Sequence, residues 1–545
     1  MGIRGFELVG RALAQAGADT AFFIMGGPIN DTLLAARDNG VRLIDVRHEQ
    51  AAAMMAQAYA RVRRRPGLCL GASGPGTINL TTGLANALVD CAPVVALGGA
   101  SPLKEFGTDA FQEIDQLAIM RPVTKWAERV HEARRIPEYI ARAFQTAMSG
   151  RPGPVYLDLP GDVLYEEVDT SAVAWPRPVE IRPPAASAAS IAQCADLLKA
   201  AQRPVILSGS GILWSGAAER LARFVEATGI PLFTTPQGRG ITPEDAATSF
   251  PLARSTACRE ADLVLVLATR LTYVFSQGKA PRFGADARFV MVNADPQAIV
   301  AAPRVDLGLV ADAGLFVDQL AAALADDPTA TRLAPWQSHL RAIEDKKKPA
   351  AEAELDTDAL PIHPLRLCRE IRDFIDPETI LVVDGQEILN YGRQSIPSHR
   401  PGQRLNSGPF GTMGVGLPFG VGAKAARPDK KVLVLHGDGS FGLNAMELDT
   451  AVRHGLPILV VISLNGGWTA DPERKKPGRD LGYTRFDRMA EALGCHGAYV
   501  ERPEDIRPAL ERAAAEVAEG RTALVNVVTD WRARAGTVSF TAFST

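Results

Sequence analysis

The sequence predicts an α/β protein built from three doubly wound domains with mostly parallel sheets. Two observations carry this. Short, near-continuous apolar runs alternate with amphipathic stretches along most of the chain, and that alternation comes in three blocks separated by polar segments. Strands covered by helices on both faces read as unbroken apolar runs, and strand–helix alternation is the signature of parallel sheets. A chain of 545 residues has ample volume for several such cores.

The first block spans residues 1–170. Ala21–Met25 reads as a strand that ends in Gly26-Gly27-Pro28, and Ile29–Asp38 as the helix that follows. Arg42–Val46 is a strand, Gln50–Val62 a helix of small residues, Leu68–Gly71 a strand, Ile78–Val89 a helix and Pro93–Leu97 a strand. Val155–Leu159 closes the block. Ala174–Ser187, rich in Pro, Ala and charge, reads as a linker. The second block, residues 188–330, offers strands at Pro204–Leu207, Leu232–Thr234, Leu263–Leu267 and Phe289–Val292. Asp326–Leu360 is charged and helical and bridges to the third block, residues 360–545. There Ile380–Val383, Val432–Leu435, Ile458–Ile462 and Leu524–Val528 are strands, with helices at Asp487–Leu493 and Pro503–Glu519.

Composition excludes some function classes. A net charge of −3, with 46% hydrophobic and 22% charged residues, gives no footprint for nucleic acid or a membrane surface. No apolar run approaches the roughly 18 residues of a membrane span, and the start of the chain reads without a secretory signal. The six cysteines have neither metal-ligand nor redox-motif spacing, so they read as reduced thiols of a cytoplasmic protein. The run Arg63-Arg64-Arg65 reads as a solvated helix end.

The most informative segment is Gly437-Asp438-Gly439-Ser440-Phe441-Gly442, between the strand Val432–Leu435 and a helix at Ala445–His454. Glycines let a backbone approach anionic oxygens, and a helix N-terminus supplies free N–H groups, so this turn suits a diphosphate. Asp438 is a hard oxygen ligand. Asn465, 27 residues later on the neighbouring loop, adds a side-chain carbonyl. Such oxygens, with a backbone carbonyl and phosphate oxygens, complete an octahedral Mg²⁺ shell.

This pair resembles the motif of thiamine diphosphate (ThDP) enzymes. The resemblance implies that Asp438, Asn465 and the backbone carbonyl of Gly467 hold Mg²⁺, with Gly437, Gly439 and Ser440 beside the cofactor. One departure is Leu464, where the family has the first of two asparagines. The context Arg47-His48-Glu49-Gln50 resembles the family's activating carboxylate. It implies that Glu49 contacts the aminopyrimidine and favours the tautomer that deprotonates the thiazolium. Gly411-Thr412-Met413-Gly414 resembles the segment whose apolar residue, here Met413, props the cofactor. The carbonyl of Gly411 would accept from its amino group. Ser73–Leu80 resembles the acetolactate synthase group and is assigned to packing and positioning at a subunit contact.

The likeness runs from about Gly5 to Asp530 and implies pyrimidine-binding, central and diphosphate-binding domains, with active sites shared between chains of a homodimer or homotetramer. Phe111-Gln112-Glu113 is similar to acetolactate synthases and 2-hydroxyacyl-CoA lyases. Gln112 could donate to a substrate oxygen, and His48 is a second candidate for a substrate contact. His436 reads as structural. Ala253-Arg254-Ser255 and Thr269-Arg270-Leu271 look like the acyl-CoA lyase and oxalyl-CoA decarboxylase branch, whose central domain takes a CoA or ADP moiety. Arg254, Arg270, Lys279 and Arg282 would meet its phosphates. Patterns linked to FAD are not apparent, so FAD is not expected. The expected activity is a 2-hydroxyacyl-CoA lyase-like reaction on a small-molecule substrate, with an acetolactate synthase-like carboligase or a decarboxylase acting on free 2-oxo acids as the alternative. A non-catalytic regulatory subunit would lack Glu49. The tail Gly536–Thr545 is expected to act as a shortened lid.

Overall fold

Val, Ile and Leu runs buried on both faces close into three separate parallel sheets. The computed structural model describes residues 2–177, 179–468, 473 and 475–535. The first sheet comprises β1 (Thr20–Phe23), β2 (Arg42–Asp45), β3 (Gly67–Gly71), β4 (Val94–Ala100), β5 (Trp126–Arg129) and β6 (Val155–Pro160). Its order is β2-β1-β3-β4-β6-β5. The central sheet comprises β7 (Pro204–Ser208), β8 (Leu232–Thr234), β9 (Leu263–Leu267), β10 (Arg288–Asn293) and β11 (Leu307–Val310), in the order β8-β7-β9-β10-β11. The third comprises β12 (Ile380–Asp384), β13 (Arg404–Leu405), β14 (Val432–Gly437), β15 (Leu459–Leu464), β16 (His496–Val500) and β17 (Ala523–Val528), in the order β13-β12-β14-β15-β17-β16. A short antiparallel ribbon pairs Gly2–Arg4 with Glu167–Asp169.

The first and third sheets share one strand order, and the central sheet repeats its first four places. In each, the order reverses beside the first strand, which opens a crevice at the carboxyl ends of β1 and β3, of β7 and β9, and of β12 and β14. Ligands of open α/β sheets bind at such switch points.

Helix α1 (Glu49–Arg63) explains its own small-residue composition. Backbone closes on it from three sides: a Cβ at Gly67 would lie 2.0 Å from the Ala56 carbonyl oxygen, one at Gly83 2.5 Å from the Ala53 Cβ, and one at Gly422 2.4 Å from the Met55 carbonyl oxygen. Gly422 belongs to α5 (Gly416–Ala426), so α1 and α5 pack backbone to backbone, and the first and third domains share one apolar core. Between them in sequence lie α2 (Pro75–Asn79), α3 (Thr81–Val89) and the 27-residue α4 (Thr329–Leu355).

All three domains meet at Asp90, the residue that ends α3. Its carboxylate pairs with Arg61 at 3.3 Å and accepts from Gln57 Nε2 at 3.0 Å and Gln237 Nε2 at 2.9 Å. Arg61 also donates to the Asn406 and Arg404 carbonyls. Both charged side chains are buried.

Several elements differ from the pattern read in the sequence. Besides the two ribbon strands, four strands went unannounced, β5, β11, β13 and β16, and all four lie at the edges of the parallel sheets. There one neighbour is missing, and β5, β13 and β16 carry polar residues within the strand. Ile78–Val89 is two helices, α2 starting at Pro75 with proline in its first turn. The expected Ala445–His454 helix shortens to α7 (Glu447–Arg453), preceded by α6 (Asp438–Gly442). The three-arginine run is only in part a solvated end: Arg63 is exposed, but Arg64 lies over the Trp214 ring and Arg65 pairs with Asp19. All six cysteines are free thiols. No helix among the described residues is long and apolar enough to cross a membrane.

Candidate active site

The N-terminal half of the site forms at the crevice between β1 and β3. The Gly27 carbonyl after β1 accepts from the Ser73 N–H at 3.0 Å, which ties the two loops together. Glu49 opens α1 and is buried; its Oε2 accepts from Asn79 Nδ2 at 3.0 Å. Gly76 lies beside the other oxygen, since a Cβ there would sit 3.3 Å from Glu49 Oε1. Segment 73–79 therefore positions the carboxylate. His48 caps α1, its Nδ1 accepting from the Gln50 N–H at 3.1 Å. That assignment puts the proton of a neutral ring on Nε2, on a residue that is itself exposed. Gln112 sits on a loop with φ +61° and contacts Ser73.

A buried acid holds this end from behind. Glu447 of α7 accepts from the Arg47 N–H at 3.1 Å and from Thr450 Oγ1 at 2.6 Å. Burial pushes its carboxyl up to about 7, against the lowering effect of those donors. The folded protein therefore holds a proton that the unfolded chain has lost between about pH 4.5 and 7. Stability from this group falls as pH rises through that window and is flat above it. Glu447→Gln removes the slope. Urea unfolding should show the variant gaining roughly 3 kcal/mol on the parent between pH 5 and pH 8; an equal difference at both pH values would refute this.

The C-terminal half forms at the crevice between β12 and β14. Gly385, with φ +127°, follows β12; Asp438 follows β14 and opens α6. Asp438 Oδ1 accepts from the Gly439 N–H and Oδ2 from the Gly467 N–H, each at 2.9 Å. Asn465 Oδ1 lies 3.2 Å from the same Gly467 nitrogen, so both side-chain oxygens converge on one turn. Leu464, the departure from the family's asparagine pair, is fully buried in the apolar core and leaves that convergence intact. Burial raises the Asp438 carboxyl to about 6. A Cβ at Gly439 would strike the Trp468 ring at 2.8 Å, so the turn is closely lined.

Three residues support this turn; His436 is the one the sequence reading gave as structural, and the other two escape that reading. His436 is fully buried and its Nε2 accepts from the Leu417 N–H at 2.9 Å, while Nδ1 faces Ser440 Oγ at 2.9 Å. Burial pushes it down to about 3, so it stays neutral and structural. Asp384 accepts from the Gly385 and Gly416 N–H groups and fixes the start of α5. Arg479, also buried, donates to the carbonyls of Gly466 and Asn465. It lies in a charged stretch whose pattern gives no sign of burial.

The donor set fits a hard divalent cation bound to a diphosphate. Among the described residues no cluster of three or more His, Cys, Asp or Glu side chains could hold a metal alone. The turn instead offers one carboxylate, one amide oxygen and backbone oxygens, so the remaining ligands must come with the bound molecule. Thr412 Oγ1, between Gly411 and Met413 in sequence, is buried without a partner among the described residues.

A small cavity at Gly437–Ser440, Asn465 and Gly467 adjoins a cleft of about 2250 Å³. Gly385, Gln386, Glu387, Met413 and Trp468 line both; Gly411 lines the cleft. Glu49, His48 and Gln112 line neither. Arg254, Arg270, Lys279 and Arg282 all line the large cleft. Its walls carry ten Lys and Arg but four Asp and Glu, in a chain that is net negative. The Nε atoms of Arg254 and Arg282 are buried without a hydrogen-bond partner among the described residues. Arg534 also lines the cleft, and the Ala535 N–H donates to Glu387 Oε2 at 2.9 Å. The tail Gly536–Thr545, expected as a lid, lies outside the described residues, as does most of 469–474.

Comparison with known proteins decides the family. Residues 3–119 match the N-terminal TPP binding domain of thiamine pyrophosphate enzymes, 191–320 the central domain and 389–527 the C-terminal TPP binding domain. The chain belongs to the thiamine pyrophosphate enzyme family. Similar relatives include an acetolactate synthase large subunit of Mycobacterium tuberculosis, 34% identical over 96% of this chain and 95% of that protein. A 2-hydroxyacyl-CoA lyase of Oryza sativa subsp. japonica is 33% identical over 97% and 96%. An oxalyl-CoA decarboxylase of Escherichia coli (strain K12) is 30% identical over 96% and 95%. This thiamine pyrophosphate enzyme thus has the three-domain α/β fold of its family and carries out carbon–carbon bond chemistry with ThDP.

Proposed function

We propose that this protein is a 2-hydroxyacyl-CoA lyase-like enzyme, cleaving a 2-hydroxyacyl-CoA to an aldehyde or ketone plus formyl-CoA, or running the reverse ligation. The cationic cleft carries this reading. Buried guanidinium nitrogens without partners are costly unless an anion meets them, and the phosphates of CoA, or of a resident ADP, supply one. Bound ThDP supplies a nucleophilic carbon and an electron sink. Asp438, Asn465 and the Gly467 carbonyl hold Mg²⁺; Gly437, Gly439 and Ser440 line the diphosphate cradle; the Gly411 carbonyl and Met413 support the cofactor's pyrimidine end. Glu49 supplies the activating carboxylate, Gln112 donates to the substrate oxygen, and His48 contacts substrate.

Because Glu49 and Gln112 line neither cavity of their own chain, the two half-sites are proposed to meet between copies, in a cytoplasmic homodimer or homotetramer. Apolar side chains exposed on both halves support this: Phe111 is 85% exposed near Gln112, and Leu443 51% just beyond α6.

The test is direct. Purified protein with ThDP and Mg²⁺ should release formyl-CoA from a panel of 2-hydroxyacyl-CoA thioesters. Joint Arg254→Ala and Arg282→Ala substitution should raise the thioester KM at least about tenfold. The likeness to acetolactate synthase favours a second reading, a carboligase acting on free 2-oxo acids. Pyruvate consumed to acetolactate, with no formyl-CoA from any thioester, would replace the first reading with the second.

A further inference from the structure

Gln112 is held in a backbone conformation that a glutamine adopts only at a cost, with φ +61°. The surrounding contacts over-determine it. Ser101 Oγ donates to the Phe111 carbonyl at 3.0 Å, and Glu113 accepts from the Gly107 and Ala110 N–H groups. Gln116 Oε1 accepts from the Gly74 N–H, and a Cβ on Gly74 would lie 2.6 Å from the Gln112 carbonyl oxygen. These anchors fix the backbone but leave open which end of the Gln112 amide faces outward.

Ser73 decides that. Its Oγ lies 2.5 Å from Gln112 Oε1 and 3.1 Å from the Gly27 carbonyl oxygen. A hydroxyl has one proton to give, and a carbonyl can only accept. The Gly27 oxygen also accepts from the Ser73 N–H at 3.0 Å, so it does not depend on the hydroxyl, whose shorter contact is to the glutamine. A separation of 2.5 Å also suits O–H···O and is too short for N–H···O. The oxygen of the amide therefore faces Ser73, and Nε2 is left with no partner among the described residues.

We propose that Ser73 is a positioning residue that sets the polarity of the Gln112 side chain, so that two N–H donors and no acceptor are offered to the oxygen where negative charge develops on the substrate. The inference rests on the role proposed for Gln112, but the amide orientation can be tested without turnover. Neutron diffraction from a deuterium-exchanged crystal should place the amide deuterons on the atom turned away from Ser73. Deuterons on the atom facing Ser73 would overturn the proposal whether or not any substrate is found.

Kinetics test its consequence in whichever assay the protein supports, formyl-CoA release or pyruvate consumption. Ser73→Ala should lower kcat about tenfold with KM changed less than about twofold, the cost of one misdirected donor to a developing charge. In a Gln112→Ala background the same change should cost nothing further, because the serine acts only through the glutamine. Hydrogen exchange of the 107–116 peptide should be the same in Ser73→Ala as in the parent. A full additional loss in the Gln112→Ala background, or faster exchange of that loop, would mean that Ser73 acts as a general anchor and would overturn the proposal. Absence of activity towards every thioester and 2-oxo acid would count against the proposed reaction and leave the neutron result to decide the orientation.

Discussion

Glu49→Gln is expected to abolish turnover, by about 10³-fold or more, while ThDP and Mg²⁺ still bind. The side chain is nearly isosteric, so the packing at the start of α1 and the hydrogen bond from Asn79 to a side-chain oxygen can both persist. What is lost is the Glu49 carboxylate, a buried acid beside Gly76 that sequence and structure both single out. Cofactor affinity by calorimetry and turnover by steady-state assay separate the two effects. Parent-like turnover in the Glu49→Gln variant would sink the assignment, and loss of cofactor binding together with turnover would point to a structural role.

Asp90→Ala should destabilise the chain by about 3–5 kcal/mol, because it leaves the Arg61 guanidinium buried without its counter-charge. The loss should reach beyond one domain. Gln57 and Gln237 would each lose an acceptor, and Gly408 is packed so closely that a Cβ there would lie 2.3 Å from Asp90 Oδ1. Equilibrium urea unfolding reads the size of the effect. A change under about 1 kcal/mol would mean that water or a rearranged partner replaces the carboxylate.

Much of the fold was legible because buried parallel strands advertise themselves. β3, β7, β9, β12, β14, β15 and β17 are short apolar runs buried on both faces, and each falls where the sequence pattern puts a strand. Four of the edge strands were not legible: His496–Val500 and Trp126–Arg129, for example, carry Glu, Arg, His or Gly, and only pairing with a neighbour makes them strands. At the site, the Gly437–Gly442 turn could be read because glycine and aspartate in that order meet specific steric and charge demands. Glu447, Asp384 and Arg479 could not. Each is an ordinary charged residue until the chain folds, and each matters through a backbone group distant in sequence. Ser73 lay in a segment assigned to positioning, but its target, 39 residues away, depends on a loop conformation that no local pattern encodes.

The repeated strand order has a consequence for how this protein could change its chemistry. The central sheet has the same seam as its two neighbours, between β7 and β9, and there Ser210, Gly211, Ala268, Thr269 and Arg270 face the large cleft. A seam of this kind exists because of the order in which strands are laid down, whatever residues decorate its rim. On the proposed reading the rims at β1/β3 and β12/β14 serve one fixed cofactor, whereas the rim at β7/β9 faces the cleft proposed to take the variable substrate. New acyl donors could thus be recruited by exchanging two short connections in the middle of the chain, with no strand re-registered and neither outer crevice disturbed.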